Sequence, residues 1–226
     1  MGYRRVVATV VTALTLAVGS ATSPPPAAAS PAGHCSVEDL HGDARLGPAD
    51  LPTRGAVGLE LRGYDRLAGL TSEQFIATYW DDTANGGQGG WRYPPFDGFL
   101  LDHDGQPIEE VTRVHVGQRL DRYGSEFGAF LAPTGSPYAS RAIPPQSLDN
   151  ATDPGGCNYR AYRVVRDFDV SGGPVAPAFG QPGMGTQYLL DASLVPGAPV
   201  RLTVLWLVDN GYLQRCVIVI SHPFSC

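Results

Sequence analysis

Residues 179–188, FGQPGMGTQY, hold Gly183-Met184-Gly185, two thirds of a dinucleotide-binding glycine fingerprint, but Tyr188 stands where the third glycine belongs. That fingerprint must follow a strand and open a helix, so that backbone N–H groups at the helix start meet a pyrophosphate. Here GGPVAPAFGQPG precedes the glycines and QYLLD follows, which is too short for the helix. A doubly wound nucleotide site is excluded. In Gly124-Ser125-Glu126-Phe127-Gly128 the serine falls one place early for a nucleophile elbow. His34, His41, His103, His115 and His222 show no metal-ligand spacing. His115 reads as an ordinary half-buried residue of a strand. Asp102-His103-Asp104-Gly105 opens like a calcium loop but lacks the later ligands and the terminal glutamate, so it reads as a hairpin turn. Asp167 and Asp169 share one strand face and read as a solvated pair. No pair of carboxylates stands out for acid–base hydrolysis.

The elements that would carry these residues are mostly strands. VTRVHVGQRL alternates through Val111, Arg113 and His115. In YRAYRVVRDFDV, Tyr162, Val164, Phe168 and Val170 fall on one face, and Arg163, Asp167 and Asp169 on the other. VRLTVLWLV and RCVIVI flank DNGYLQ, whose Asn210-Gly211 signals a hairpin. Thr71-Ser72-Glu73-Gln74 forms a capping box ahead of a short helix carrying Phe75, Ile76, Tyr79 and Trp80. Residues 83–98 read as a long Gly/Pro loop anchored by Trp91, Tyr93 and Phe96. Long helices between strands are missing, so the fold class is α+β and mainly β: a curved antiparallel sheet core with a small N-terminal helical and loop unit.

The 226-residue chain has a net charge of −6 and a pI near 5.2. That balance argues against nucleic acid as a partner. Residues 1–30 read as a secretory signal peptide: Arg4-Arg5, an apolar run from Val6 to Val18, and Ala27-Ala28-Ala29 at the cleavage site. No later segment is long and apolar enough to span a membrane. Cys35, Cys157, Cys216 and Cys226 then read as two disulfides, with three pairings open. Asn150-Ala151-Thr152 is a glycosylation pattern. The expected organisation is a leader over 1–30, an N-terminal unit over 31–80, and a catalytic domain over 81–226 ending in a hairpin.

Three stretches in order carry a resemblance: YWDD…GGWRYPPFDGF, then DRYGSEFGAFLAPTGSPYASRAIPP over residues 121–145, then YRAYRVVRDFDV…GPVAPAFGQPGMGTQY over 159–188. Together they resemble the tuberculosis necrotizing toxin domain family, whose members are NAD glycohydrolases. With its leader and N-terminal unit, the chain is similar to the secreted, fungal-type surface members. The resemblance implies that Arg122 in DRYG and Arg141 in SRAIPP are active-site arginines. It makes Phe130 in GAFL the site's aromatic residue, and Gln187 in GMGTQY the glutamine on which turnover depends. The glycines before Gln187 then form a turn that brings its carboxamide to the substrate.

The chemistry these residues suit is cleavage of the nicotinamide–ribose bond of NAD or NADP. The leaving base is already cationic, so a carboxylic acid donor is unnecessary, unlike most glycoside hydrolysis. The two arginines suit the pyrophosphate, Phe130 the nicotinamide or its ribose, and Gln187 the ribose hydroxyls or the attacking water. No cofactor is required for this chemistry. The resemblance also implies a structural calcium ion and a homodimer. The calcium ligands have no match here, because Asp209 lacks an acidic neighbour. An immunity protein cannot be read from the chain. The alternatives are an ADP-ribosyl transferase or cyclase working through the same intermediate, and an inactive secreted binding module.

Overall fold

The computed structural model describes residues 1–2, 33–149, 156–219 and 222–226. Residues 3–30 of the expected leader and Asn150-Ala151-Thr152 lie outside the described residues. Among the described residues, besides short 3-10 turns, five short α-helices and eleven strands follow one another: α1 (Gly55–Glu60), α2 (Ser72–Tyr79), β1 (Trp80–Asp81), α3 (Ala84–Gly87), β2 (Gly90–Trp91), β3 (Glu110–Val114), β4 (Arg119–Tyr123), β5 (Phe130–Pro133), α4 (Tyr138–Arg141), β6 (Tyr159–Val164), β7 (Phe168–Pro174), β8 (Thr186–Leu189), α5 (Val204–Asp209), β9 (Leu213–Arg215), β10 (Val217–Val219) and β11 (His222–Ser225). Seven strands form one curled antiparallel sheet in the order β3-β7-β8-β5-β4-β6-β9. The mainly β reading of the sequence holds.

Period-2 alternation gives this sheet two apolar faces. Leu120, Leu131, Tyr162, Val164, Phe168 and Val170 are buried on one side. There they meet Val204 and Leu207 of α5, and Leu190, Val195 and Leu202 around it. Tyr123, Tyr159 and Ala161 point to the other side and pack against Val57 and Leu61, with Tyr138, Leu148 and the Cys35–Cys157 bridge. The N-terminal unit therefore covers one face of the sheet. A third cluster of Leu46, Phe75 and Phe179 joins that unit to the Trp91 loop. The Thr71 capping box is present in both directions: Thr71 N–H donates to Gln74 Oε1 at 3.0 Å, and Gln74 N–H to Thr71 Oγ1 at 3.3 Å.

Several expectations are corrected. The VTRVHVGQRL segment is not one strand: β3 ends at Val114, and His115 sits in the turn before β4. Gln118 and Asp167 draw the backbone there out of the ladder, since Asp167 Oδ1 accepts from Val116 N–H at 2.7 Å. YRAYRVVRDFDV likewise splits into β6 and β7. The 83–98 loop contains α3 and β2, and β2 pairs back onto β1 just ahead of the loop, Trp91 opposite Trp80. VLWLVD is a helix rather than a strand, capped by Thr203 Oγ1, which accepts from Trp206 N–H.

Asn210-Gly211 therefore closes a helix instead of turning a hairpin. Gly211 has φ +71. Its N–H reaches Val208 O at 3.2 Å, and Tyr212 N–H reaches Leu207 O at 2.8 Å. Those are the two bonds of a Schellman cap, with Tyr212 packing near Leu207 in the core. The same dipeptide serves both turns because both require a residue in the left-handed region. The hairpin near the C-terminus is β10–β11.

The bridges are Cys35–Cys157 and Cys216–Cys226, separated by 122 and 10 residues. Chain-entropy arithmetic makes the long loop worth about 5 kcal/mol and the short one about 3 kcal/mol. Urea unfolding is expected to show Cys35→Ser/Cys157→Ser losing more stability than Cys216→Ser/Cys226→Ser.

Candidate active site

The pairing of β4 with β5 covers only Leu120 with Pro133 and Asp121 with Ala132. Beyond Asp121 the two strands part, and a cleft of about 570 Å³ opens at that point. Its walls come from Tyr93 to Gly98, from the ends of β4 and β5, from residues 141–147, and from the start of β8. Arg122, Phe130, Arg141 and Gln187 all line it. Four residues spread over 66 positions of sequence, three on strands and Arg141 on α4, meet where the sheet splits.

Each arrives by a different route. Phe130, the first residue of β5, is exposed at the cleft. Gln187 lies opposite Gly173 on β8, and its Nε2 donates to Asp97 O at 3.1 Å, tying the Tyr93–Gly98 wall to the sheet. Arg122 alternates onto the side of Leu120 and Tyr162, yet reaches through the gap. Its Nη1 donates to Phe130 O at 2.7 Å and its Nε to Gly124 O at 3.3 Å. A Cβ at Gly128 would collide with this guanidinium. Burial lowers the pKa of Arg122, and Arg160, directly across the β4–β6 pair, adds to that. Arg160 itself donates to Gly124 O at 2.7 Å and Asn158 Oδ1 at 2.9 Å. Among the described residues neither guanidinium makes an ion pair with a carboxylate; Arg122 lines the cleft and Arg160 stands behind it, with the Glu126 charge acting on both. The sequence reading missed Arg160; only the register of β4 on β6 shows it.

The turn of Gly183-Met184-Gly185 has a structural task. Gly185 N–H donates to Ser140 O at 2.9 Å, and its own O accepts from Val175 N–H at 2.8 Å. A Cβ on Gly185 would lie 2.7 Å from Ser140 O. The close approach is therefore to the backbone beside Arg141, and it fixes β8 against α4. Ala142, next along the chain, ends α4 with φ 44, a left-handed conformation costly for a residue with a side chain.

Arg141 departs from the expected free phosphate fork. It is only 8% exposed, with Nη1 2.6 Å from Asp121 Oδ1 and Nη2 3.0 Å from Glu60 Oε2. Its Nε and Nη2 also donate to Ser136 O, each at 3.2 Å. Burial alone would lower its pKa, but the two carboxylates outweigh burial and hold it above the ordinary arginine value. Its ring of partners is completed by Tyr123, whose ring lies 5.2 Å from the guanidinium.

An acid pair thus exists after all: Glu60, 3% exposed, and Asp121, 0% exposed. Both accept from Tyr159 OH, at 3.0 and 2.8 Å, and from Gly135 N–H, at 3.1 and 3.3 Å. Glu60 Oε2 also accepts from Tyr123 OH at 3.0 Å. Sharing donors this closely, they do not have the separation that carboxylate glycosidases use, roughly 5 Å or more with a sugar between. Burial first, and Asp121 second, push the Glu60 pKa up to about 7. A separation of 61 positions hides the pair from any local pattern. Asp167 and Asp169, by contrast, are answered by Arg113 at 3.7 and 3.0 Å on the outer surface. His115 Nδ1 lies 3.3 Å from Asp167 Oδ2 and far out in solvent. Asp102 Oδ1 accepts from Asp104 and Gln106 N–H groups and so makes the expected turn. Asp209 ends α5 exposed, and no acidic cluster forms around it among the described residues, so the donors present do not fit a calcium site there.

Residues 113–216 match the family model described as tuberculosis necrotizing toxin. The conidial surface nicotinamide adenine dinucleotide glycohydrolase nadA of Aspergillus fumigatus is 42% identical over 174 residues, which is 77% of this chain and 69% of that protein. The solved structure of tuberculosis necrotizing toxin complexed with its immunity factor IFT aligns over 64% of this chain and 71% of that one, at 23% identity and a TM-score of 0.48.

The acid pair makes stability depend on pH. The folded pKa of Glu60 lies above its ordinary 4.5. Its contribution is therefore full below that ordinary value and is lost as pH rises through about 7. Urea unfolding of wild type against Glu60→Gln is expected to show the wild type losing stability relative to the variant over that range.

Proposed function

The chain belongs to the tuberculosis necrotizing toxin family, and from that premise we propose that it is a secreted NAD glycohydrolase, cleaving NAD to nicotinamide and ADP-ribose. The observation that carries this reading is 42% identity, over most of the chain, to a protein named for that activity. The meeting of Arg122, Phe130, Arg141 and Gln187 at one cleft supports the site assignment. Secretion is supported by the leader-like start, by two disulfides, and by the surface location in the relative's name. No helix among the described residues is long and apolar enough to cross a membrane.

The chemistry needs little acid–base help. The C1′–N bond breaks with its electron pair going to the ring nitrogen, which already carries positive charge, so nicotinamide departs neutral. The ribosyl centre left behind is oxocarbenium-like. A water oxygen then bonds to C1′ and its proton passes to solvent. Phe130 is the apolar surface for the nicotinamide or its ribose. Gln187 has one N–H committed to Asp97 O; its Oε1 and remaining N–H hold a ribose hydroxyl or the attacking water, a preorganised contact of the kind that stabilises transition states. Arg122 supplies charge for the pyrophosphate. Arg141, with its charge answered from below, shapes the cleft floor more than it adds net charge to it.

Purified mature protein is expected to release nicotinamide and ADP-ribose from NAD, with Gln187→Ala losing about 10²–10³ in kcat. Chromatographic product analysis checks this. No nicotinamide from NAD or NADP would sink the reading, and cyclic ADP-ribose or a modified protein would reassign the intermediate to a cyclase or transferase.

A further inference from the structure

Two carboxylates and one guanidinium, buried together, leave one negative charge without an answer. Glu60 Oε1 and Oε2 are met by Gly135 N–H, Tyr159 OH, Tyr123 OH and Arg141 Nη2. Asp121 holds the other end of Arg141. The charged and titratable groups facing Glu60 are Asp121 and Tyr123 from β4, Arg141 from α4 and Tyr159 from β6. Both tyrosines are buried and stay protonated, their pKa values raised well above the ordinary one. Arg141 stays charged. An uncompensated buried charge is resolved by taking up a proton. Glu60 is also the member of the group contributed by the N-terminal unit, outside the residues that match the family model.

We propose that Glu60 is a positioning residue of the glycohydrolase site: as a protonated acid it holds Arg141, with Asp121, against the cleft floor, keeping that floor electrically neutral for an anionic dinucleotide. The inference rests on the glycohydrolase reading of this cleft. Protonated Glu60 donates its proton within the acid pair and accepts from Arg141. When Glu60 ionises, the floor beneath Arg141 carries a net negative charge, next to Asp121, Tyr123 and Arg141, all of which line the cleft. Pyrophosphate binding then weakens. The bond-breaking step needs no acid, so the effect falls on KM and spares kcat.

The test uses the purified mature chain, as wild type, Glu60→Gln and Glu60→Ala, with KM and kcat for NAD followed from about pH 5.5 to 9. Wild-type KM is expected to rise roughly fivefold or more above neutral pH, the size of one added charge near the ligand, while kcat changes little. Glu60→Gln, a permanent stand-in for the protonated acid, should keep KM flat and near the wild-type low-pH value. Glu60→Ala should lose kcat/KM at every pH. A Glu60→Gln variant with the same alkaline rise in KM, or one as impaired at low pH as Glu60→Ala, overturns the proposal. Carbon-13 carboxyl labelling of glutamate in wild type gives a readout that needs neither a variant nor turnover. One glutamate resonance titrating near neutrality is expected, and its absence overturns the proposal. A wild type that shows this titration but releases no nicotinamide would fail the glycohydrolase reading alone.

Discussion

A single guanidinium, held between two buried carboxylates, ties together the pieces that make the cleft. Arg141 comes from α4, Asp121 from β4 and Glu60 from α1, and Tyr159 of β6 bonds to both acids. Each alone would be expensive to bury. As a set Arg141 answers both acids and one proton covers the charge left over, and removing one member leaves the rest uncompensated, a loss of about 3–5 kcal/mol in comparable buried pairs. The geometry of the cleft floor is thereby over-determined. Arg141 cannot swing outward without stranding two acids.

The cleft itself comes from a fault in the sheet. β4 and β5 pair over two residues and then diverge, while β5 goes on to pair with β8. The gap lets Arg122, which alternation sends to the far side, reach the same space as Phe130 and Gln187. The Gly183–Gly185 turn closes the arrangement by laying its backbone on Ser140. Arg122 brings positive charge to the cleft, with Arg160 opposite it on β6. At the floor the positive charge of Arg141 is met by Glu60 and Asp121.

Strand content, the capping box at Thr71 and the apolar faces of β6 and β7 were legible from periodicity, because those features repeat within a few residues. The positions of Arg122, Phe130, Arg141 and Gln187 were legible only through resemblance, since nothing local distinguishes an arginine at a cleft from one in solvent. Two classes of feature escaped. One is degenerate local chemistry: Asn210-Gly211 fits a hairpin and a helix cap equally well, and the VLWLV run fits strand and buried helix alike, so tertiary context decided. The other is long-range pairing. Glu60 with Asp121, and Arg122 with Arg160, are contacts between segments whose spacing carries no signal, and they exist only once register is set.

Where the chain can be cut follows from the position of Glu60. The stretch matching the family model begins at Arg113, yet the acid that completes the floor lies upstream of it, on a helix packed beneath β4 and β6. A fragment trimmed to the matched stretch would keep both arginines and the glutamine, but would expose the apolar underside of the sheet and leave Tyr123, Tyr159 and Arg141 with empty places. The boundary drawn by sequence likeness and the boundary of the piece that can stand alone are different lines, and the chemistry belongs to the larger one.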